Sequence, residues 1–150
     1  MILHLGVDDL PYSGAPRKRR RGAKVKSGQQ TTGDVAQWLE NKYGVMEVFS
    51  DAHLDDMAEA LEDGLAGHLE TALTRGQSGD LDLSSATEKI DQMFRDFLSN
   101  KEMDTLGVAG VPTQAALAGV NHRLGANRGG PRPSFIDTGL YQSAFKSWIE

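Results

Sequence analysis

The chain has 150 residues, 39% of them hydrophobic, with seventeen glycines and no cysteine. That length fits one ordinary domain, and an apolar fraction below the usual ~45–50% predicts a small core or one completed by partners. The missing cysteine excludes a disulfide scaffold, a thiol nucleophile, a cysteine-ligated zinc site and an iron–sulfur cluster, and no apolar run reaches the ~18–20 residues of a membrane helix, so a soluble chain without a membrane partner is expected.

The net charge of −5 is unevenly distributed. Residues 1–32 carry seven basic and two acidic groups, residues 40–104 five basic and sixteen acidic, and residues 120–150 four basic and two acidic. A basic beginning, an acidic body and a mildly basic end point to an interaction surface or a solvated tail.

Taken in chain order, Ile2 to Val7 reads as a short strand, stopped by Asp8, Asp9 and Pro11, which must pair with a later segment or with a neighbouring copy. Ser13 to Gln30 offers almost nothing to bury. It contains Arg17, Lys18, Arg19, Arg20, Arg21, Lys24 and Lys26, and reads as an extended arm, mobile until bound. The chain thus divides into a strand plus flexible basic arm over 1–30 and a helical body over 31–150, with an irregular loop at 121–134 and a C-terminal amphipathic segment.

Thr31 and Asp34 have capping-box spacing and open a helix that carries Val35, Trp38, Leu39 and Tyr43 on one face and stops at Gly44. From Val45 to Thr74 apolar residues recur at steps of mostly three or four, at Met46, Phe49, Leu54, Met57, Leu61, Leu65, Leu69 and Ala72, which predicts one amphipathic helix ~45 Å long. Gly64 and Gly67 inside it mark either a weak spot or a close approach of another helix. After a polar linker, Ser85 and Glu88 form a second capping box, followed by Ile90, Met93, Phe94, Phe97 and Leu98 at helical spacing. Leu106 to Pro112 reads as a loop or short strand, Thr113 caps a brief helix through Ala118, and residues 125–133 are too rich in glycine and proline for regular structure. Asp137 is a candidate cap for a closing amphipathic helix or strand with Leu140, Tyr141, Phe145, Trp148 and Ile149. The fold class expected is mostly α, with one or two short strands and an α+β variant open.

The chain lacks the phosphate loop, the dinucleotide fingerprint, the nucleophile elbow and the His-Glu-x-x-His helix. His53 and Asp56 are near enough for metal binding or acid–base work but do not close a site, and Asp55-Asp56 and Glu62-Asp63 point apart on a helix. No enzyme activity, catalytic residue, metal or cofactor is expected. The basic run has three readings: a phosphate contact with steep salt dependence, a localisation signal, or a subunit clasp against the acidic surface that residues 40–104 supply.

Two stretches carry a resemblance. Thr31-Thr-Gly-Asp-Val-Ala-Gln-Trp-Leu-Glu-Asn-Lys-Tyr-Gly-Val-Met-Glu and Pro133-Ser-Phe-Ile-Asp-Thr-Gly-Leu-Tyr-Gln-Ser-Ala-Phe-Lys-Ser-Trp are similar to small virion proteins of tailed bacteriophages. The second resembles the Thr-Gly-x-Leu-x-x-Ser theme of neck and tail-completion proteins, a turn that opens a short helix and commonly leads into a sheet-forming segment. Here the theme falls on Thr138, Gly139, Leu140 and Ser143, with Leu140 directly after Gly139. The resemblance implies a virion structural protein of the head-to-tail connector, assembled in the host cytoplasm as a homo-oligomeric ring, six- or twelve-fold, against portal or adaptor and tail proteins, with DNA passing through the channel. It further implies that Leu3–Val7 and Leu106–Val111 are strands added across subunits, and that Trp38, Tyr43, Phe49, Gly64, Gly67, Phe94 and Phe97 pack helices or line interfaces. The competing expectation is a nucleic-acid-binding packaging or regulatory accessory protein that uses the arm on phosphates.

Overall fold

Helices supply most of the architecture, and in the computed structural model a short antiparallel ladder joins the two ends of the chain. The structure describes residues 1–12, 30–76, 81–121, 126–127 and 130–150. The elements are β1 (Leu3–Val7), α1 (Thr32–Tyr43), α2 (Val45–Ala52), α3 (Leu54–Arg75), α4 (Ser84–Ser99), α5 (Glu102–Thr105), α6 (Gln114–Leu117), β2 (Val120–Asn121), β3 (Ala126–Asn127), α7 (Leu140–Ala144) and β4 (Phe145–Ile149). The chain is mostly α with short strands.

Helix α1 forms where the capping pattern predicts. The Thr31 side chain accepts from Asp34 N–H, the Asp34 carboxylate accepts from Thr31 N–H, and Gly44 ends the helix in the left-handed region at φ 58°. That conformation suits glycine because it has no Cβ to clash. The expected single helix over 45–74 is instead two, parted at His53 (φ −120°, ψ 21°). Neither glycine nor proline marks the break. One His53 ring nitrogen lies 3.0 Å from Asp56 and the other 2.9 Å from Glu102, so this residue ties the α2–α3 corner to α5.

The second expected capping box also fails. Helix α4 begins two residues earlier than that box requires, after Leu83, and its leading N–H is taken by Asp82, whose Oδ1 accepts from Ser84 N–H at 2.9 Å. Accepting that bond holds the Asp82 carboxyl below its ordinary pKa. Gly64 is a point of close approach: a Cβ there would lie 3.1 Å from Ala86 Cβ and 3.2 Å from a Leu83 methyl. Gly67 has no such neighbour, and beyond it α3 turns its leucines outward, Leu69 being 52% and Leu73 84% exposed.

The core is aromatic. Phe49 from α2, Phe94 and Phe97 from α4 and Phe145 from β4 are fully buried, with Val45, Ile90, Leu98 and Met103 around them. Phe94 and Phe145 stack with centroids 3.9 Å apart, and Phe49 meets Phe94 edge-on at 5.2 Å. Burying side chains of this size is the largest favourable contribution a small core can make.

The closing segment is a helix and then a strand. Residue 137 is not its cap: α7 starts after Gly139, at φ 77°, and the backbone turns extended at Phe145. Strand β4 pairs antiparallel with β1, Leu3 opposite Ile149 and Val7 opposite Phe145. Leu3–Val7 therefore finds a partner strand inside its own chain, because Phe145 and Ser147 of β4 are buried and bring β4 to the core beside it. Residues 106–111 form no strand; they turn through Gly107 and Gly110, both at positive φ, to a cis Val111–Pro112 bond.

Candidate functional site

The predicted residues that come together do so in a groove of about 360 Å³ between α1, α6, residues 132–139 and α7. Helix α1 contributes Val35, Trp38, Leu39 and Tyr43, and the C-terminal motif contributes Asp137, Thr138, Gly139, Leu140 and Tyr141. Val35, Trp38, Leu39 and Tyr43 recur at helical spacing, which turns them toward one side. Leu39 is buried into the core while Trp38 stays 55% exposed at the rim. The Trp38 ring meets Tyr43 edge-on at 6.0 Å, Tyr43 leans on Phe135 at 5.0 Å, and Lys42 Nζ lies 4.8 Å and 4.9 Å from the Trp38 and Tyr43 centroids. A cation over two aromatic faces orders this rim.

The far wall has no regular structure, so a side chain must hold it. Arg132 does this: its guanidinium donates to the carbonyls of Ile136 and Val120, lies 3.7 Å from the Asp137 carboxylate, and its backbone N–H donates to Ala116 O at 3.0 Å. Ser134, which is buried, accepts from Thr113 N–H at 3.2 Å. Phe135 sits at φ 66°, a conformation that costs a residue with a Cβ about 1–3 kcal/mol and persists only where its surroundings enforce it. The enforced turn places the Phe135 ring against Tyr43.

Tyr141 is 3% exposed, and its hydroxyl has no hydrogen-bond partner among the described residues. Burial, and after it the charge of Glu40, pushes this phenol above its ordinary pKa of 10.0. The raised pKa means the fold favours the protonated form, so Tyr141 contributes stability below pH 10 that is lost as the pH rises past the unfolded value. Tyr141→Phe is expected to leave thermal stability unchanged or to raise it by up to about 1 kcal/mol, since it deletes an unsatisfied buried group. The melting temperature and the loss of structure above pH 10 check this.

Tyr12 also lines the groove, and its N–H donates to Gln30 O at 3.0 Å, while Thr32 N–H donates to Leu10 O at 2.9 Å. The chain thus leaves and re-enters the described structure through a hydrogen-bonded pair at the groove. Arg17, Lys18, Arg19, Arg20, Arg21, Lys24 and Lys26 lie outside the described residues.

Other predicted residues serve elsewhere. Phe49, Phe94, Phe97 and Phe145 are core, Gly64 is the α3–α4 contact, and Trp148 stacks on His4 across the outer face of the ladder at 5.3 Å. His53 and Asp56 do not form an open site, because both ring nitrogens already face carboxylates on opposite edges of the ring. Among the described residues no three His, Asp or Glu side chains converge as a metal ion requires. Arg132 and Phe135 were not foreseen: Arg132 lies in the glycine- and proline-rich stretch 125–133 and Phe135 just past it, where periodicity is silent. A single arginine between two prolines was the available signal, since loop carbonyls brought inside need a donor.

Comparison with protein-family models, with curated proteins and with solved structures finds no match to this chain.

Proposed function

We propose that this chain is a non-enzymatic structural subunit of a tailed-phage head-to-tail connector, part of a six- or twelve-fold ring in the virion neck, and that the groove is where a neighbouring connector protein docks. The observation that carries the reading is convergence: the two stretches that resemble neck and tail-completion proteins, far apart in sequence, form the two sides of one apolar groove. Its make-up suits an interface. An exposed tryptophan and a tyrosine stand at the rim, and the floor is apolar. The resembling theme also runs on into a strand, as α7 runs into β4.

The basic residues 17–26 belong to this proposal as a clasp on the acidic body of the next subunit, or as a lining of the DNA channel. Complementary charge of that kind sets register and encounter rate more than affinity. Ring assembly on portal, adaptor or tail components, followed by native mass spectrometry, tests the reading. Trp38→Ala and deletion of residues 13–28 should each abolish assembly while helical circular dichroism stays intact. Assembly unaffected by both changes would sink it. A chain that stays small alone but binds DNA tightly, with affinity falling steeply with salt, would favour the packaging-accessory alternative.

A further inference from the structure

We propose that the outer edge of β1 is a second assembly surface, on which another copy of this chain adds its own β1, antiparallel, about a twofold axis. Ile2 and Glu150 exchange both backbone hydrogen bonds, at 2.7 and 2.9 Å, and Asp8 N–H donates to Ala144 O at 2.8 Å. Even-numbered residues of β1 therefore face β4. Antiparallel pairing alternates, so the N–H and C=O groups of Leu3, Leu5 and Val7 point the other way. Among the described residues nothing bonds to them.

The opposite edge of the ladder is closed. On β4 the outward N–H of Ser147 donates to the buried carboxylate of Asp91 at 2.7 Å, and the Ser147 hydroxyl donates to the same oxygen at 2.9 Å. Strands β2 and β3 have two residues each. That leaves β1 as the open edge of useful length among the described residues, and it has none of the usual protection: no lysine, proline or bulge lies within Leu3–Val7.

The occupant follows from register and charge. Pairing that uses the outward groups of both copies sets Leu5 opposite the partner's Leu5, and Leu3 opposite the partner's Val7. The ionisable side chain of the segment, His4, then falls opposite the partner's Gly6, and Asp8 opposite the partner's Ile2, so no like charges face each other. Leu3, Leu5 and Val7 pack against the core on their inner face, and the added strand continues that apolar surface. A twofold contact closes at two copies, so it is distinct from any ring contact and does not depend on the connector reading.

Sedimentation and native mass spectrometry of the full chain should find a dimer. In it, the amides of Leu3, Leu5 and Val7 should exchange with solvent about tenfold or more slowly than in the diluted monomer, while those of His4 and Gly6 are protected in both. Leu5→Pro removes an outward N–H and none of the bonds to β4, so it should abolish the dimer and keep the helical spectrum. Should that variant not fold, the exchange pattern of the unaltered chain decides. A monomer at every concentration, or a dimer whose Leu3, Leu5 and Val7 amides exchange at the monomer rate, overturns the proposal. A connector ring assembled with these amides unprotected overturns it while leaving the ring reading in place. A protected dimer that never joins connector components supports it and sinks the ring.

Discussion

Replacing Phe94 by alanine is expected to cost about 3–5 kcal/mol. The ring is completely buried and touches aromatic side chains from three other elements: Phe49 of α2, Tyr141 of α7 and Phe145 of β4. Its removal leaves a hole where helix and ladder meet, and the parallel stack on Phe145 prevents the strand from closing over it without losing register with β1. Domains of this size are stable by about 5–15 kcal/mol, so such a loss consumes a large share of the total. Urea unfolding followed by circular dichroism measures it. A loss below about 1 kcal/mol would show that Phe94 is not at the centre of the core.

The second large effect is expected at Asp91. This carboxylate is 4% exposed and accepts from the N–H and hydroxyl of Ser147, with Lys146 Nζ at 3.5 Å and Arg95 at 4.0 Å. It joins α4 to β4 through polar contacts that packing cannot replace. Asp91→Ala strands the Ser147 N–H and leaves two cations without their shared partner, at a cost of about 2–4 kcal/mol. Asp91→Asn keeps an acceptor for Ser147 and should lose roughly half as much. The ratio of the two losses in matched denaturation curves separates the hydrogen bonds from the charge; equal losses would mean that the carboxylate acts by its charge alone.

Local chemistry made some elements readable in the residues and left others hidden. Helix α1 was legible because its ends carry their own signals, Thr31 with Asp34 at the start and Gly44 at the stop. The His53 break left only a faint trace, a single step of five from Phe49 to Leu54 among steps of three and four, and the tie to Glu102 spans 49 positions. The Ser85 and Glu88 spacing misled because Asp82 captures the Ser84 N–H first. In the last turn an apolar pattern fits helix and strand about equally; tertiary pairing with β1 decides that the chain extends after Ala144. The candidate site was half visible. Trp38, Tyr43 and residues 137–141 could be named from sequence, while the Arg132 anchor and the strained Phe135 arise from loop geometry that no periodicity encodes.

The ladder between Leu3 and Ile149 has a kinetic corollary. The first strand emerges from the ribosome long before its mate and must wait until the chain has been made through Ile149. Contacts of such sequence separation slow folding relative to other helical proteins. In that interval Leu3, Leu5 and Val7 are available to chaperones or to other nascent chains, so high-level synthesis is where yield would first be lost to aggregation.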